Sequence, residues 1–366
     1  MIMPELSFAH FVIGFLLLLT PVVYIHELGH YWMARKAGVI VEVFSIGFGP
    51  ELLGWTSKTT GTRWRVAAIP LGGYVKMLGD ENAASMPSSE SRPSRPGTFA
   101  GASLLWRIGI VLGGPVANFI LGILLFAVVY MSVGKSVLPA EIGEVIPQGA
   151  AAEAGLKQGD FVLEIDGVKI RDFSDMRGMV VESPGRLLSF KVDRSGAVID
   201  FDVTPAVQFD NQLQMNIGLL GVRSVQSGER VRMWPGTAIV TASSDAFYMS
   251  AMLLRGLARL GRGEMQRGEI QGPVGIAKIS GTVLSQGLIP FVFLTAIISI
   301  NLGLINLLPI PALDGGHLAF FIYEAIAGRP LPMAIQDFLL RLGISLLLLL
   351  TIFVFALDIN RLFDLF

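Results

Sequence analysis

The sequence predicts a polytopic α-helical membrane protein with about four transmembrane helices, a membrane-associated β-hairpin region and one α+β domain outside the bilayer. Three observations predict it. Hydrophobic residues make up 52% of the 366 positions and charged residues only 16%, against about 25% charged in a soluble domain. The apolar residues gather into four runs, each near the roughly 20 residues that span a hydrocarbon core as a helix. Between the second and third runs the text changes to short alternating segments closed by Asp-Gly and Gly-Asp pairs, the pattern of strands and tight turns.

Composition also excludes classes of function. With 28 Lys plus Arg against 29 Asp plus Glu, there is no basic footprint for a nucleic acid. The absence of cysteine excludes a disulfide framework, a thiol nucleophile and Cys-ligated zinc. Any metal site must use His, Asp or Glu.

The first apolar run, Leu6 to Ile25, reads as a retained transmembrane helix, because a cleaved signal peptide starts with cationic residues and none precedes Arg35. Arg35 and Lys36 follow its far end, which by the positive-inside rule puts that end in the cytoplasm. From Val39 to Met77, β-like runs such as Val41–Ile46 and Arg63–Ile69 are bounded by Gly47, Gly49, Pro50, Pro70, Gly72 and Gly73, which predicts hairpins beside or dipping into the membrane. Residues 80 to 98, rich in Ser and Pro, read as a loop. The later spans are expected near Leu104–Val133, Gly287–Leu308 and Leu339–Leu357. The resulting divisions are 1–36, 37–102, 103–134, 135–226, 227–286 and 287–366.

Within 135–226, the alternation of Phe161, Leu163 and Ile165 reads as a strand with one buried face, closed by Asp166-Gly167. A helix near Asp172–Val181 and strands at Leu187–Val192 and Val198–Val203 follow. With Ala154-Gly155-Leu156 and Gly159-Asp160 in place, the segment resembles a PDZ domain, in one copy. Its final strand, Asn216–Val222, resembles the carboxylate-loop strand of a permuted PDZ fold, and Ile217, Gly218 and Leu219 are its candidate peptide-binding residues by strand addition. From Thr237 to Leu260, Ile239, Ala242, Ala246, Met249, Leu253, Leu257 and Leu260 recur at helical spacing with Ser243, Asp245, Arg255 and Arg259 between. That stripe suits either an interfacial helix or one packed on the PDZ-like domain.

The chemistry gathers at His26-Glu27-Leu28-Gly29-His30, at the inner end of the first span. On a helix, His26 and His30 share one face, so two imidazoles can bind one zinc with Glu27 beside it as general base. With 4 histidines in 366 residues, chance supplies roughly 0.002 copies of this pattern. Three ionisable residues in five positions are also costly near hydrocarbon, where one acidic residue costs about 2.5 to 3.5 kcal/mol on insertion scales. A metal offsets that cost.

A catalytic zinc usually keeps three protein ligands and an open position. The candidate third ligand is Asp314, in Asn306-Leu307-Leu308-Pro309-Ile310-Pro311-Ala312-Leu313-Asp314-Gly315-Gly316-His317, where two prolines stop the third span; a plain helix cap is the other reading of Asp314. Asn306 is a candidate hydrogen-bond donor to a substrate carbonyl or oxyanion. His317 reads as a hydrogen-bonding partner before an extra ligand, Asn118 as helix-packing glue, and His10 receives no role.

His-Glu-x-x-His in a first membrane helix, Asn-x-x-Pro-x-Pro-x-Leu-Asp-Gly in a late one and a PDZ-like insert between them together resemble the site-2 protease family of intramembrane zinc metalloproteases. The bacterial branch that includes the regulator of sigma-E protease is the closest match, over essentially the whole chain. The resemblance implies His26, His30 and Asp314 as zinc ligands, Glu27 as catalytic base and Val39–Met77 as the hairpin that receives substrate. It implies a substrate that is a single-span membrane protein, an anti-sigma-factor-like one in this branch, and a bacterial inner membrane with the N-terminus and PDZ-like domain periplasmic. Gly113-Gly114-Pro115 with Asn118 matches a signature of the family's second core helix. The best-known relatives carry two tandem PDZ domains where this sequence has one. The rival classes are a catalytically silent PDZ membrane scaffold, which would not need the intact Glu27, and a zinc transporter, which would need a polar path across both leaflets.

Overall fold

A computed structural model describes residues 8–79, 95–136, 138–210, 215–225, 230–261 and 272–363. Residues 80–94 of the expected loop, and the side chains of Arg259 and Leu260 in the helical stripe, lie outside these. Among the described residues, four helices are long and apolar enough to cross a membrane: α1 (Phe8–Lys36), α2 (Leu104–Ser132), α7 (Leu288–Leu307) and the Met333–Asp358 stretch of α9 (Met333–Phe363). The protein is multi-pass. α2 is the central helix, with half of its apolar window buried, whereas α1 and α9 keep most of theirs on the outside. Leu346, Leu349, Ile352 and Phe353 of α9 are exposed, a surface suited to lipid and not to water.

After α1, β1 (Val41–Thr56) and β2 (Arg63–Met77) form a bent antiparallel sheet. Phe44 of β1 pairs with Trp64 on one side and Val75 on the other. β2 therefore doubles back, at Pro70-Leu71-Gly72, where Gly72 has φ +130°, a conformation that favours glycine. The Gly73–Lys76 stretch is left as an outer strand of this two-stranded sheet, paired through β1 alone among the described strands. Phe44, Trp64, Tyr24 and Tyr31 stack or meet edge-on, fastening the sheet to α1.

The PDZ-like domain follows α2. In chain order it comprises β3 (Lys135–Ser136), β4 (Ile142–Val145), α3 (Ala150–Glu153), β5 (Phe161–Ile165), β6 (Val168–Lys169), α4 (Phe173–Val181), β7 (Leu188–Arg194), β8 (Ala197–Val203), β9 (Ala206–Asp210), β10 (Met215–Leu219) and β11 (Val222–Ser224). Its main sheet has the order β6-β5-β7-β8, with β9–β10 and β4–β11 as separate antiparallel pairs. The core is Ile142, Val162, Ile165, Met176, Leu188, Phe190, Val192 and Val203.

Two local expectations are corrected here. In β5 it is Val162 and Ile165 that are buried, while Phe161 is exposed. An irregularity in the pairing with β7 between Val162 and Glu164 inserts a residue and shifts the alternation by one. The expected single strand Asn216–Val222 is two strands, because Gly221 turns the chain at φ +76° and passes it from the β9 pair to the β4 pair.

The Gly159-Asp160 pair has a structural task. Asp160 is 1% exposed, accepts two hydrogen bonds of 2.7 Å from Arg194 and one of 2.8 Å from the Lys157 N–H. Burial pushes its carboxyl up, but the Arg194 and Lys157 hydrogen bonds outweigh this and hold it below the ordinary carboxylate value. Its contribution to stability is full above the unfolded carboxylate pKa and is lost as pH falls through the lowered folded value. We expect Asp160→Asn to cost about 1–3 kcal/mol at neutral pH and to flatten this part of the acid dependence, measured as hydrogen-exchange protection of β5 and β7 in the full chain.

β12 (Arg230–Val231) pairs with β3 and leads into α5 (Pro235–Gly261). α5 serves both surfaces that its stripe allowed. Ala238, Ala242 and Ala246 pack on Phe126, Tyr130, Ala296 and Ile300 of α2 and α7, whereas Ile239 is exposed. Toward the PDZ-like domain, Asp245 accepts from Arg171 at 3.0 Å and from Lys135 at 2.7 Å. α6 (Pro273–Ser285) is a helix the sequence reading did not mark; its Gly281 lies against Gly14 of α1. α8 (Asp314–Ala327) follows α7 and is clamped to the start of α2 by a two-bond Arg107–Glu324 pair at 2.6 and 3.0 Å.

Candidate metal centre

α1 carries His26, Glu27 and His30 on its last three turns, and α2 crosses it there at backbone distance. A Cβ on Gly29 or Gly113 would run into the other residue's carbonyl, and one on Gly114 would meet His30 Nε2, with His26 Cε1 at 2.8 Å. The Gly-Gly pair thus exists to let α2 touch the histidines. Pro115 follows directly, has no N–H to give and opens the helix turn before it. The Ile110 carbonyl accepts from His30 Nδ1 at 2.8 Å, which turns the His30 Nε2 lone pair outward. Filling the crossing should expel the metal without changing a ligand: Gly114→Val is expected to weaken metal binding by on the order of 10–100-fold, as loss of ligand support does, read by metal content after dialysis.

The third partner arrives from the break between α7 and α8. After Leu307 the prolines at 309 and 311 prevent helix continuation, Ala312 is held at φ +80°, and α8 restarts at Asp314. Non-glycine residues in that region carry about 1–3 kcal/mol of strain and cluster at functional sites. Asp314 Oδ2 lies 3.2 Å from His26 Nε2 and 3.4 Å from His30 Nε2, and the two nitrogens are 3.2 Å apart. Among the described residues, these three form the group able to hold a metal ion.

The residues fit zinc. Tetrahedral zinc with bonds of about 2.0–2.1 Å sets its ligand atoms roughly 3.3 Å apart, which is the size of this triangle. Asp314 Oδ2 is buried and takes no hydrogen bond, an orphan that a cation satisfies. Glu27 is not one of the converging atoms; it lines the same cavity of about 230 Å³, its Cγ against Gly73 of the outer strand. Gly73, Tyr74, Val75 and Met77 line the same cavity, as do Asn306, Asp314 and His317. Asn306 Nδ2 is 3.3 Å from His26 Nε2.

The structure therefore brings His26, Glu27, His30, Asn306, Asp314 and His317 together. Ile217, Gly218 and Leu219 sit elsewhere, on β10 of the PDZ-like domain. Asn118, read from sequence as packing glue, is placed with its Nδ2 3.2 Å from His26 Nδ1.

Comparison with known proteins agrees with the geometry. Peptidase family M50 matches residues 14–350. The chain belongs to peptidase family M50. The metalloprotease MmpA of Caulobacter vibrioides is 38% identical, with 99% of this chain and 98% of the relative covered. Proteins named as zinc metalloproteases in Rhizobium meliloti and Agrobacterium fabrum are 39% and 38% identical, covering 95% and 96% of this chain and 96% of each relative. With a His-Glu-x-x-His pair and a carboxylate converged on one point, this M50 peptidase is a zinc metalloprotease.

Proposed function

We propose that this M50 protease hydrolyses peptide bonds within or beside the membrane-spanning segment of single-span membrane proteins, as a step of regulated intramembrane proteolysis, with an anti-sigma-factor-like protein as the substrate class. One observation carries the reading: the ligand group is built inside an apolar helix. His30 and His26 lie six and ten residues before Lys36, about 9 and 15 Å along α1 at 1.5 Å per residue, and a hydrocarbon core is about 30 Å thick. The cluster of Arg35 and Lys36 supports a cytoplasmic end there, in a bacterial inner membrane with the N-terminus and PDZ-like domain on the periplasmic side.

Bound zinc supplies a Lewis acid that brings the pKa of water near 7 and polarises a carbonyl. Every other task falls to the chain. His26, His30 and Asp314 hold the ion. Glu27 takes the proton from water on its carboxylate and returns it to the leaving amine, and the Asn306 amide donates to the substrate's carbonyl oxygen. A substrate helix has its own backbone hydrogen bonds satisfied and must unwind before attack. Gly73, Tyr74 and Val75 of the outer strand line the cavity with Glu27, and strand addition along that stretch holds the unwound segment.

For the PDZ-like domain the geometry favours a size filter over capture of a peptide or C-terminus at Ile217–Leu219. Gly218 lies so close to the Val180 carbonyl of α4 that even a Cβ would collide, leaving no room for a strand between β10 and α4. The domain is also anchored through Arg171, Lys135 and Asp245 at the far end of α2, about 30 Å along that helix from Gly114. The silent-scaffold alternative leaves Glu27 in the cavity without a task.

The test incubates purified protein with a single-span protein bearing its full outer domain, the same protein trimmed, and an unfolded soluble protein, and maps cleaved bonds by mass spectrometry. Cleavage of the trimmed form inside its spanning segment is expected, with the full form cut only after residues 138–225 are deleted. Cuts confined to the soluble protein would contradict the proposal, and equal cleavage of both membrane forms by the parent would remove the filter.

A further inference from the structure

We propose that Asn118 is a positioning residue for the metal: its side-chain oxygen accepts the Nδ1 proton of His26 and keeps the Nε2 lone pair of His26 turned toward the ion. The inference rests on the zinc reading above and adds a residue to it. Asn118 is 0% exposed; its Nδ2 is placed 3.2 Å from His26 Nδ1, which leaves its buried Oδ1 without a hydrogen-bond partner. Ser299 of α7 donates to the Asn118 backbone carbonyl at 2.8 Å, which pins the α2 turn that carries it.

A neutral imidazole has one N–H and one lone pair, and the hydrogen bond at one nitrogen decides which the other offers. The amide oxygen and nitrogen of Asn118 exchange places by a half-turn, so the two orientations have opposite consequences. With the nitrogen toward His26, Nδ1 must accept, and the proton moves to Nε2, where it points at His30 and Asp314 and blocks coordination. With the oxygen toward His26, Nδ1 carries the proton and Nε2 is free to ligate. Only the second agrees with the triangle of ligand atoms. His30 has the matching arrangement, its Nδ1 held by the Ile110 carbonyl. Two histidines one turn apart on α1 thus take their tautomers from two points on α2, Ile110 and Asn118, on either side of Pro115.

The rival role for a buried asparagine between apolar helices is packing glue, and the two roles part at substitution. Asn118→Leu keeps roughly the volume and removes the acceptor; Asn118→Asp keeps an acceptor and removes the donor. Zinc affinity of the full-length protein in detergent is measured by competition with a chromophoric chelator, with thermal unfolding as the check on folding. Loss of about 10–100-fold in affinity is expected for Asn118→Leu, with Asn118→Asp within a few-fold of the parent. Packing glue predicts the reverse order, and Asn118→Leu binding zinc as tightly as the parent, or Asn118→Asp losing as much as Asn118→Leu, overturns the proposal. Asn118→Ala replaces Asn118→Leu if the larger side chain prevents folding. A parent that binds no zinc would overturn the zinc reading itself, which is a separate outcome.

Discussion

Glu27→Gln is expected to lower peptide hydrolysis by at least 10²–10⁴-fold, the usual share of a general base, while zinc content stays at the parent level. Glu27 shares the cavity with the ligands but is not one of the three atoms that converge, and its stem packs on Gly73. Glutamine keeps that packing and the side-chain length, so the change removes proton acceptance and little else. Elemental analysis beside a cleavage assay separates the two roles. Loss of zinc along with activity would make Glu27 a ligand and break the assignment.

Asp314→Ala, His26→Ala and His30→Ala are each expected to remove both zinc and activity to the detection limit. A three-ligand site has no spare ligand, and each removal also leaves the remaining groups of a nearly dry cluster without their charge or lone-pair partner. Asp314→Ala is the most informative, because its two sequence readings diverge. A cap lost from α8 costs about 0.5–2 kcal/mol of stability and leaves metal in place, whereas a lost ligand empties the site. In the structure Asp314 faces the histidines and α8 shows no side-chain cap hydrogen bond at Leu313. Retention of zinc by Asp314→Ala would send the search for the third ligand to His317 or Asn306.

The parts of this molecule that the sequence exposes are those encoded over short distances. His26, Glu27 and His30 are legible because helical spacing alone puts both imidazoles on one face, and the four spans because a bilayer demands long apolar runs. Asp314 is legible from its own surroundings only as a candidate, and as a ligand only through the family resemblance, since nothing near position 314 says that α7 and α8 bring it to α1. Asn118 illustrates the limit. Its contact with His26 depends on the α1–α2 crossing, and the Gly113-Gly114 pair that permits the crossing, though it matches a signature of the family's second core helix, does not say which residues that helix meets. The strand β5 and its buried Ile165 are legible, but the burial of Val162 in place of Phe161 and Leu163 is not, because a bulge leaves no mark in the residue pattern. α6, short and interrupted by Gly275 and Gly281, looks like loop text, and its helical state depends on contact with Gly14 and on Asp358 of α9, which accepts from the N–H groups of Gly272, Val274 and Gly275 at its first turn.

The central claim is that one zinc ion, held by His26, His30 and Asp314 within the membrane helices, is what makes this protein a protease. Its most direct test is titration of metal against activity in a single preparation. The purified protein is stripped with a chelator, zinc is returned in steps, and cleavage of a trimmed single-span substrate is followed with bound zinc measured at each step. The account predicts activity that vanishes on stripping and returns in proportion to zinc, reaching its plateau at one ion per chain. Full cleavage by the stripped protein, or a plateau reached with no zinc bound, would contradict it.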